Sequence, residues 1–140
     1  MFSFLYIKII PKNHINEHEN LIIQTKGDHM ESLFKVRGTS LTIFVPQELD
    51  HHNAEMIRTG ADRIIESQNI RGVIFDFAET QFMDSSGIGV IMGRYKNLRF
   101  MGGKVIAINV SDRIHRILTL SGIYKIVDIY DGLPHQSNLV

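Results

Sequence analysis

Two short apolar runs restrict the fold of this chain more than any other feature. They are Gly72–Phe77 (Gly-Val-Ile-Phe-Asp-Phe) and Lys104–Val110 (Lys-Val-Ile-Ala-Ile-Asn-Val). Runs this short and this apolar are typical of strands covered on both faces, as in parallel sheets. Between and before them, apolar residues recur at helical spacing, at Ala54, Ile57, Ala61, Ile64 and Ile65 and again at Ile88, Ile91, Tyr95 and Leu98. Strands that alternate with helices predict crossover connections and an α/β fold.

The remaining elements complete this alternation. Residues 32–37 and 40–45 alternate apolar and polar side chains on either side of Gly38-Thr39, which predicts a β-hairpin ended by Pro46. Gly102-Gly103 is expected to end the second helix, and Tyr124–Tyr130 to form the last strand. A third helix is predicted before that strand, with one face made of Ile114, Ile117 and Leu118. The predicted order is β-β-α-β-α-β-α-β, in a mixed, mostly parallel sheet of four to five strands flanked by helices.

Composition limits the class of protein. A chain of 140 residues is expected to form one domain and can bury a core without crosslinks. Its formal net charge of zero argues against a direct nucleic-acid partner held by a basic field. No segment is long and apolar enough to span a bilayer, and no membrane partner is expected. The absence of cysteine excludes disulfides and thiolate zinc sites and suits a reducing compartment, so we expect a cytoplasmic protein.

The first 29 residues differ in pattern from the rest. The apolar residues 1–10 end at Pro11, and a polar stretch without periodicity follows up to His29, just before Met30. The segment lacks the basic start and the cleavage site of a signal peptide. We expect residues 1–29 to be a loosely attached, poorly ordered extension, or translation to begin at Met30, and residues 30–140 to form the domain.

The segment Met83-Asp84-Ser85-Ser86-Gly87-Ile88-Gly89 joins a loop to the second helix. Functional groups of open α/β sheets gather where strands end and helices start, and unpaired N–H groups make a helix start partly positive. Ser85 and Ser86 are both candidate N-caps here, as Asp50 or Asn53 is for the first helix. Most helix starts of this composition have no other role, so the string alone favours a structural interpretation.

Gly89 and Gly93 lie inside the predicted helix, where each glycine costs about 0.5–1 kcal/mol relative to alanine. Their spacing puts both on one helix face, which therefore has no side chains at these positions. Either a partner's backbone approaches this face, or the face accommodates the protein's own sheet or first helix.

A phosphoryl group on Ser85 would add roughly −1.5 to −2 charges. A helix N-terminus tolerates such a charge, so phosphorylation is expected to act on a partner and not to melt the helix.

Three blocks of the sequence match a known family in order and spacing. They are Glu48-Leu49-Asp50-His51-His52-Asn53-Ala54-Glu55, Phe82-Met83-Asp84-Ser85-Ser86-Gly87-Ile88-Gly89-Val90-Ile91-Met92-Gly93-Arg94-Tyr95-Lys96, and Leu120-Ser121-Gly122-Ile123-Tyr124-Lys125-Ile126. They resemble the bacterial anti-sigma factor antagonists, and most of all the sporulation type. The resemblance covers about residues 32–130 and implies a STAS domain, whose sheet of four to five strands is flanked by helices.

The resemblance also implies a regulatory switch. Members of this family bind an anti-sigma factor that is also a serine kinase, and this binding frees the sigma factor. The kinase phosphorylates the serine after the motif aspartate, here Ser85, and so releases the antagonist, which a serine phosphatase resets. Ser86 is the weaker candidate acceptor. The resemblance and the open helix face together assign six residues to partner binding: Asp50, Asp84, Ser86, Gly87, Gly89 and Gly93.

Other classes of function remain open at this point. A STAS module that serves as a lipid- or nucleotide-binding subunit or as a signalling scaffold is the main alternative, although the intact Asp-Ser-Ser-Gly acceptor favours the switch. No enzyme is expected, because the chain lacks both the Gly-x-Ser-x-Gly elbow and the Gly-x-x-x-x-Gly-Lys phosphate loop. His51 and His52 are adjacent and point in different directions, and no third spaced ligand supports them, so neither a metal nor another cofactor is expected.

Overall fold

The structure, a computed structural model, describes residues 33–133 and two short strands that precede them, β1 (Ile10–Pro11) and β2 (Glu19–Ile23). The elements that follow are β3 (Phe34–Arg37), β4 (Ser40–Phe44), β5 (Glu48–Leu49), α1 (His51–Ser67), β6 (Gly72–Asp76), β7 (Phe82–Met83), α2 (Ser85–Arg99), β8 (Lys104–Ile108), α3 (Asp112–Ser121), a 3-10 helix (Ile123–Lys125) and β9 (Asp128–Ile129). The predicted order is confirmed, with β5 and β7 as two additional strands of two residues each. The prediction for residues 1–29 lies largely outside the described residues.

The main sheet is mixed, and its strand order is β1-β2-β3-β4-β6-β8-β9. β3 and β4 form the predicted antiparallel hairpin, whose turn has Gly38 at φ +60°. β4, β6, β8 and β9 run parallel, so their carboxyl ends meet at one edge. Five strands of this main sheet lie within residues 33–133, in agreement with the predicted number of four to five. β1 and β2 extend its antiparallel side.

The parallel strands are covered by apolar residues on both faces, as the sequence predicts. Val73 and Phe75 of β6 belong to the main core with the predicted face of α1, whereas Ile74 belongs to a second cluster with Ile106 and Ile108. Alternation along a strand explains this division. No helix within the described residues is long and apolar enough to cross a membrane.

The chain after α3 differs from its prediction. Tyr124–Tyr130 is not one strand, because a 3-10 turn over Ile123–Lys125 comes first and β9 contains only Asp128–Ile129. Ile123 and Val127 are buried, while Lys125 between them is exposed. A continuous strand would place all three on one face, so the turn is what keeps the lysine in water.

Candidate functional site

The short strands β5 and β7 bring the starts of α1 and α2 side by side. They pair in parallel, with Glu48 opposite Phe82 and Leu49 opposite Met83. The N–H of Asp84 then donates a hydrogen bond to the Leu49 carbonyl, with an N···O distance of 3.3 Å. This pairing was not predicted, since a strand of two residues has no periodic pattern. It fixes the Asp50 and Asp84 segments as neighbours.

Each of these aspartates caps the helix that follows it. The Asp50 carboxylate accepts a hydrogen bond from the Asn53 N–H at 2.9 Å, and the Asp84 carboxylate accepts one from the Ser86 N–H at 2.8 Å. The prediction that Ser85 or Ser86 caps α2 is therefore wrong, because Asp84 already has the extended backbone of an N-cap and reaches the free N–H. Ser85 is the first helical residue, and its hydroxyl makes no hydrogen bond to the described part of the chain.

The two serines lie in different surroundings. Ser85 is exposed, whereas Ser86 is half-buried. Ser86 contributes to a shallow groove between α1 and α2, together with His51, Ala54, Glu55, Arg58, Gly89 and Val90. Phe82, just before the junction, is 49% exposed, an unusual fraction for a phenylalanine. The junction therefore presents a hydroxyl, an aromatic ring and a groove to solvent.

The three glycines of the predicted site fall into two groups. Gly87 is buried, and a Cβ there would lie 2.5 Å from Met83 Cγ and 2.8 Å from Leu49 Cδ2, so the glycine permits close packing beneath the junction. A Cβ at Gly89 or Gly93 would meet no described atom within 4 Å. The open face of α2 is thus not explained by packing against the protein's own sheet or first helix.

Charges of both signs surround the helix starts. Glu48 is exposed at β5, and Asp50 and Asp84 are half-buried at the two caps, where helix dipoles favour negative charge. On the α3 side, Arg113 Nη1 lies 3.5 Å from the Gln81 carbonyl oxygen. In the groove, the hydrogen bonds that the Arg58 guanidinium donates to the Glu55 carboxylate raise the pKa of Arg58, although both side chains are about half exposed. Within the described residues, no three acidic or histidine side chains are grouped closely enough to hold a metal ion.

Comparison with known proteins assigns this architecture. Residues 32–134 match the model of the STAS domain. The chain belongs to the STAS-domain family. An anti-sigma F factor antagonist of Paenibacillus polymyxa is 41% identical to this STAS domain over 92 residues, which are 66% of this chain and 79% of the relative. The predicted family and fold are confirmed.

Solved structures of a related STAS domain agree in fold. The anti-sigma factor antagonist SpoIIAA in its unphosphorylated form is 28% identical with a TM-score of 0.61, over 70% of this chain and 83% of that one. The Bacillus SpoIIAA structure in the phosphorylated form is also 28% identical, with a TM-score of 0.56 over 71% of this chain and 86% of that one. A relative of this STAS domain is therefore known in both phosphorylation states.

One buried ion pair of the STAS domain was not predicted. Arg94 of α2 is only 4% exposed, and its Nε lies 3.1 Å from Oδ1 of Asp62 on α1. Burial lowers the pKa of Arg94, and the attraction of Asp62 opposes that shift. A sequence gives little sign of such a pair, because a single arginine on a helix is more often exposed. The pair joins the two helices that carry the site.

A pair of substitutions tests the cap assignment in this STAS domain. Asp84→Ala is expected to lower the free energy of unfolding by about 1 kcal/mol, since it leaves the Ser86 N–H without an acceptor. Asp84→Asn is expected to cost only a few tenths of that, because asparagine also caps well. Urea denaturation of both variants measures the difference. Equal losses in the two variants would assign the effect to charge and contradict the cap.

Proposed function

We propose that this protein is an anti-sigma factor antagonist switched by phosphorylation of Ser85. The unphosphorylated form binds an anti-sigma factor that is also a serine kinase, and so frees a sigma factor. Phosphate on Ser85 ends that binding, and a serine phosphatase restores it. In this scheme the protein is a cytoplasmic kinase substrate and not an enzyme. The antagonist relatives, one of them 41% identical, support the proposal.

The accessibility of Ser85 carries the proposal. A kinase can phosphorylate only a hydroxyl that is exposed on the surface of its substrate and can enter the kinase active site. Ser85 is exposed, and its hydroxyl makes no hydrogen bond within the described part of the chain, because Asp84 supplies the cap. Ser86 is half-buried in the groove, which makes its hydroxyl the weaker acceptor.

The partner surface in this proposal extends from the junction along α2. Asp50 and Asp84 provide negative charge beside the acceptor, and Ser86, Gly89 and Gly93 provide the groove side and the open helix face. Gly87 is buried, so it contributes by shaping the junction and not by touching the partner. The absence of side chains at Gly89 and Gly93 lets a partner's backbone approach α2 closely.

The phosphate acts at this surface and not on the fold. It adds roughly −1.5 to −2 charges at a helix start, which the dipole and the free N–H groups favour. Asp84 is already negative at the cap. A partner that fits the unmodified junction then meets added bulk and a strongly hydrated group, whose charge adds to that of Asp84 beside it.

Incubation with the cognate anti-sigma kinase and ATP tests the switch. Wild-type protein and Ser86→Ala are expected to gain one phosphate on Ser85, read by mass spectrometry of the peptide, whereas Ser85→Ala gains none. Ser85→Ala should also stay bound to the kinase when ATP is added. Phosphate on Ser86, or release of Ser85→Ala by ATP, would contradict the proposal.

Thermal unfolding of the two forms gives a second measurement on the same sample. The melting temperature of the phosphorylated form is expected to lie within about 4 °C of the unmodified form, which corresponds to less than about 1 kcal/mol. Affinity for the kinase is expected to fall at least tenfold. A large drop in melting temperature would show that phosphate acts by melting α2 and not at the interface.

A further inference from the structure

The end of the molecule opposite the junction carries an exposed apolar turn. Phe100 is 84% exposed and Met101 is 50% exposed, in the turn between α2 and β8. Ser85 begins α2 and this turn follows its end, so the 15 residues of the helix place the two sites about 22 Å apart. We call Arg71, Lys96, Arg99, Phe100 and Met101 the α2–β8 tip.

Basic side chains surround this apolar turn. Lys96 and Arg99 occupy the last turns of α2, and both are exposed. Arg71 is also exposed, and its carbonyl accepts a hydrogen bond from the Lys104 N–H at 2.9 Å, which places it next to the start of β8 at this end of the molecule. The guanidinium carbon of Arg99 lies 5.4 Å from the centre of the Phe100 ring. The tip thus combines an aromatic ring, a thioether and three cations.

These three cations have no acidic partner within residues 33–133. Ion pairs in that range join Arg58 to Glu55, Arg94 to Asp62 and Lys104 to Asp128. Asp128, the acidic residue at the start of β9, is therefore already taken by Lys104. With the exposed Glu66 near the end of α1 counted, the tip still has an excess of positive charge.

We propose that the α2–β8 tip binds the surface of an anionic lipid bilayer. A protruding turn cannot enclose a ligand, but a bilayer surface requires no matching groove. Basic residues are attracted to anionic headgroups, and exposed aromatic and apolar side chains enter the boundary between headgroups and acyl chains. The inference differs from the expectation that the chain has no membrane partner, and it is independent of the proposed switch.

The orientation that follows keeps the switch accessible. A protein held by the tip points the carboxyl edge of its parallel strands, and with it Ser85, away from the lipid. Binding is peripheral and reversible, because only two apolar side chains and three charges take part. A second copy of the chain is the competing occupant, since Glu48, Asp50 and Asp84 place negative charges at the other end.

Sedimentation of the full chain with vesicles tests the proposal. Vesicles of neutral phosphatidylcholine are compared with vesicles that also contain about a third phosphatidylglycerol. Wild-type protein is expected to bind only the anionic vesicles, and less at high salt. Arg99→Glu is expected to lower the partition constant at least fivefold, which is about the effect of one basic residue near an anionic surface. Phe100→Ser is also expected to lower it at least fivefold, because it removes the aromatic ring that enters the boundary between headgroups and acyl chains.

Matched controls come from the other end of the molecule. Arg113→Glu changes net charge as much as Arg99→Glu does, and Leu133→Ser removes a side chain that is 76% exposed. Both are expected to bind like wild type. Absence of binding to anionic vesicles, or binding that persists in Arg99→Glu and Phe100→Ser, would overturn the proposal. Concentration-dependent dimers that Phe100→Ser abolishes in lipid-free solution, without vesicle binding, would assign the tip to a second copy instead.

Discussion

Gly87→Ala is expected to lower the free energy of unfolding by about 2 kcal/mol, although alanine is the better helix former. The added Cβ would lie 2.5 Å from Met83 Cγ, 2.7 Å from Met83 Sδ and 2.8 Å from Leu49 Cδ2. Leu49 and Met83 are themselves 0% and 3% exposed, so neither has free space to move into. Overpacking of this kind typically costs 1–3 kcal/mol, more than the helix-propensity gain of up to about 1 kcal/mol.

Gly89→Ala in the same helix is expected to have the opposite sign. A Cβ at Gly89 meets nothing among the described residues within 4 Å, so only the helix-propensity gain of about 0.5–1 kcal/mol remains. Chemical denaturation of the two alanine variants measures this contrast directly. A loss at both positions, or at neither, would contradict the assignment of Gly87 to packing and Gly89 to open surface.

Gly89→Gln extends the argument from stability to binding. Glutamine is also a good helix former, so the variant is expected to be at least as stable as wild type. Its long side chain would occupy the open face of α2, and affinity for the anti-sigma kinase is expected to fall at least tenfold. Arg99→Gln, at the far end of the same helix and on a different side of it, is the matched control and should bind normally. Normal binding by Gly89→Gln would remove this face from the proposed interface.

The elements that could be predicted are those whose apolar residues form a long periodic pattern, as in α1, or an almost continuous run, as in β6. The α1 face at Ala54, Ile57, Ala61 and Ile64 is buried as its spacing indicates, and the apolar run of β6 is covered on both sides. In each case burial of many side chains outweighs the preferences of individual residues. The segment Tyr124–Tyr130 has neither pattern, because Lys125 and Asp128 interrupt its apolar residues. A short mixed sequence of this kind does not distinguish a strand from a turn.

The details of the site depend on interactions that a sequence does not display. The β5–β7 pairing joins residues more than thirty positions apart through backbone groups, which every residue type carries. The choice of Asp84 over two serines as the cap of α2 is set by backbone angles and not by residue type alone. Ser85 as acceptor came from the resemblance, and it stays a prediction.

Asp62→Ala is expected to lower the free energy of unfolding by about 3 kcal/mol. This effect and that of Gly87→Ala are the two largest that we expect. It leaves the Arg94 guanidinium, whose side chain is 5% exposed, without a counter-charge, and arginine does not lose its proton at ordinary pH. An uncompensated buried charge costs several kcal/mol. The existing pair is already incompletely hydrogen-bonded, because Nε and Nη1 of Arg94 have no hydrogen-bond acceptor among the residues that the structure describes. Nη2 is 3.4 Å from Asp62 Oδ2.

Arg94→Met, the matched variant, is expected to change stability by less than about 1 kcal/mol. Methionine fills a similar volume without a charge, and replacement of buried ion pairs by apolar residues is often neutral or stabilising. The Asp62 side chain left behind is 27% exposed and can be hydrated. Urea unfolding of both single variants and of the double variant gives the coupling energy between the two positions.

The double variant decides which physical account of the pair is right. If the loss in Asp62→Ala comes from the stranded charge on Arg94, then adding Arg94→Met should restore most of it. If the loss came instead from the hydrogen bond between Asn97 and Asp62, at 3.4 Å, the double variant would remain as unstable as Asp62→Ala. The double variant also tests the role of the pair in binding. If it regains stability but binds the kinase more weakly than wild type, the ion pair sets the spacing of α1 and α2, and with it the shape of the groove beside Ser86.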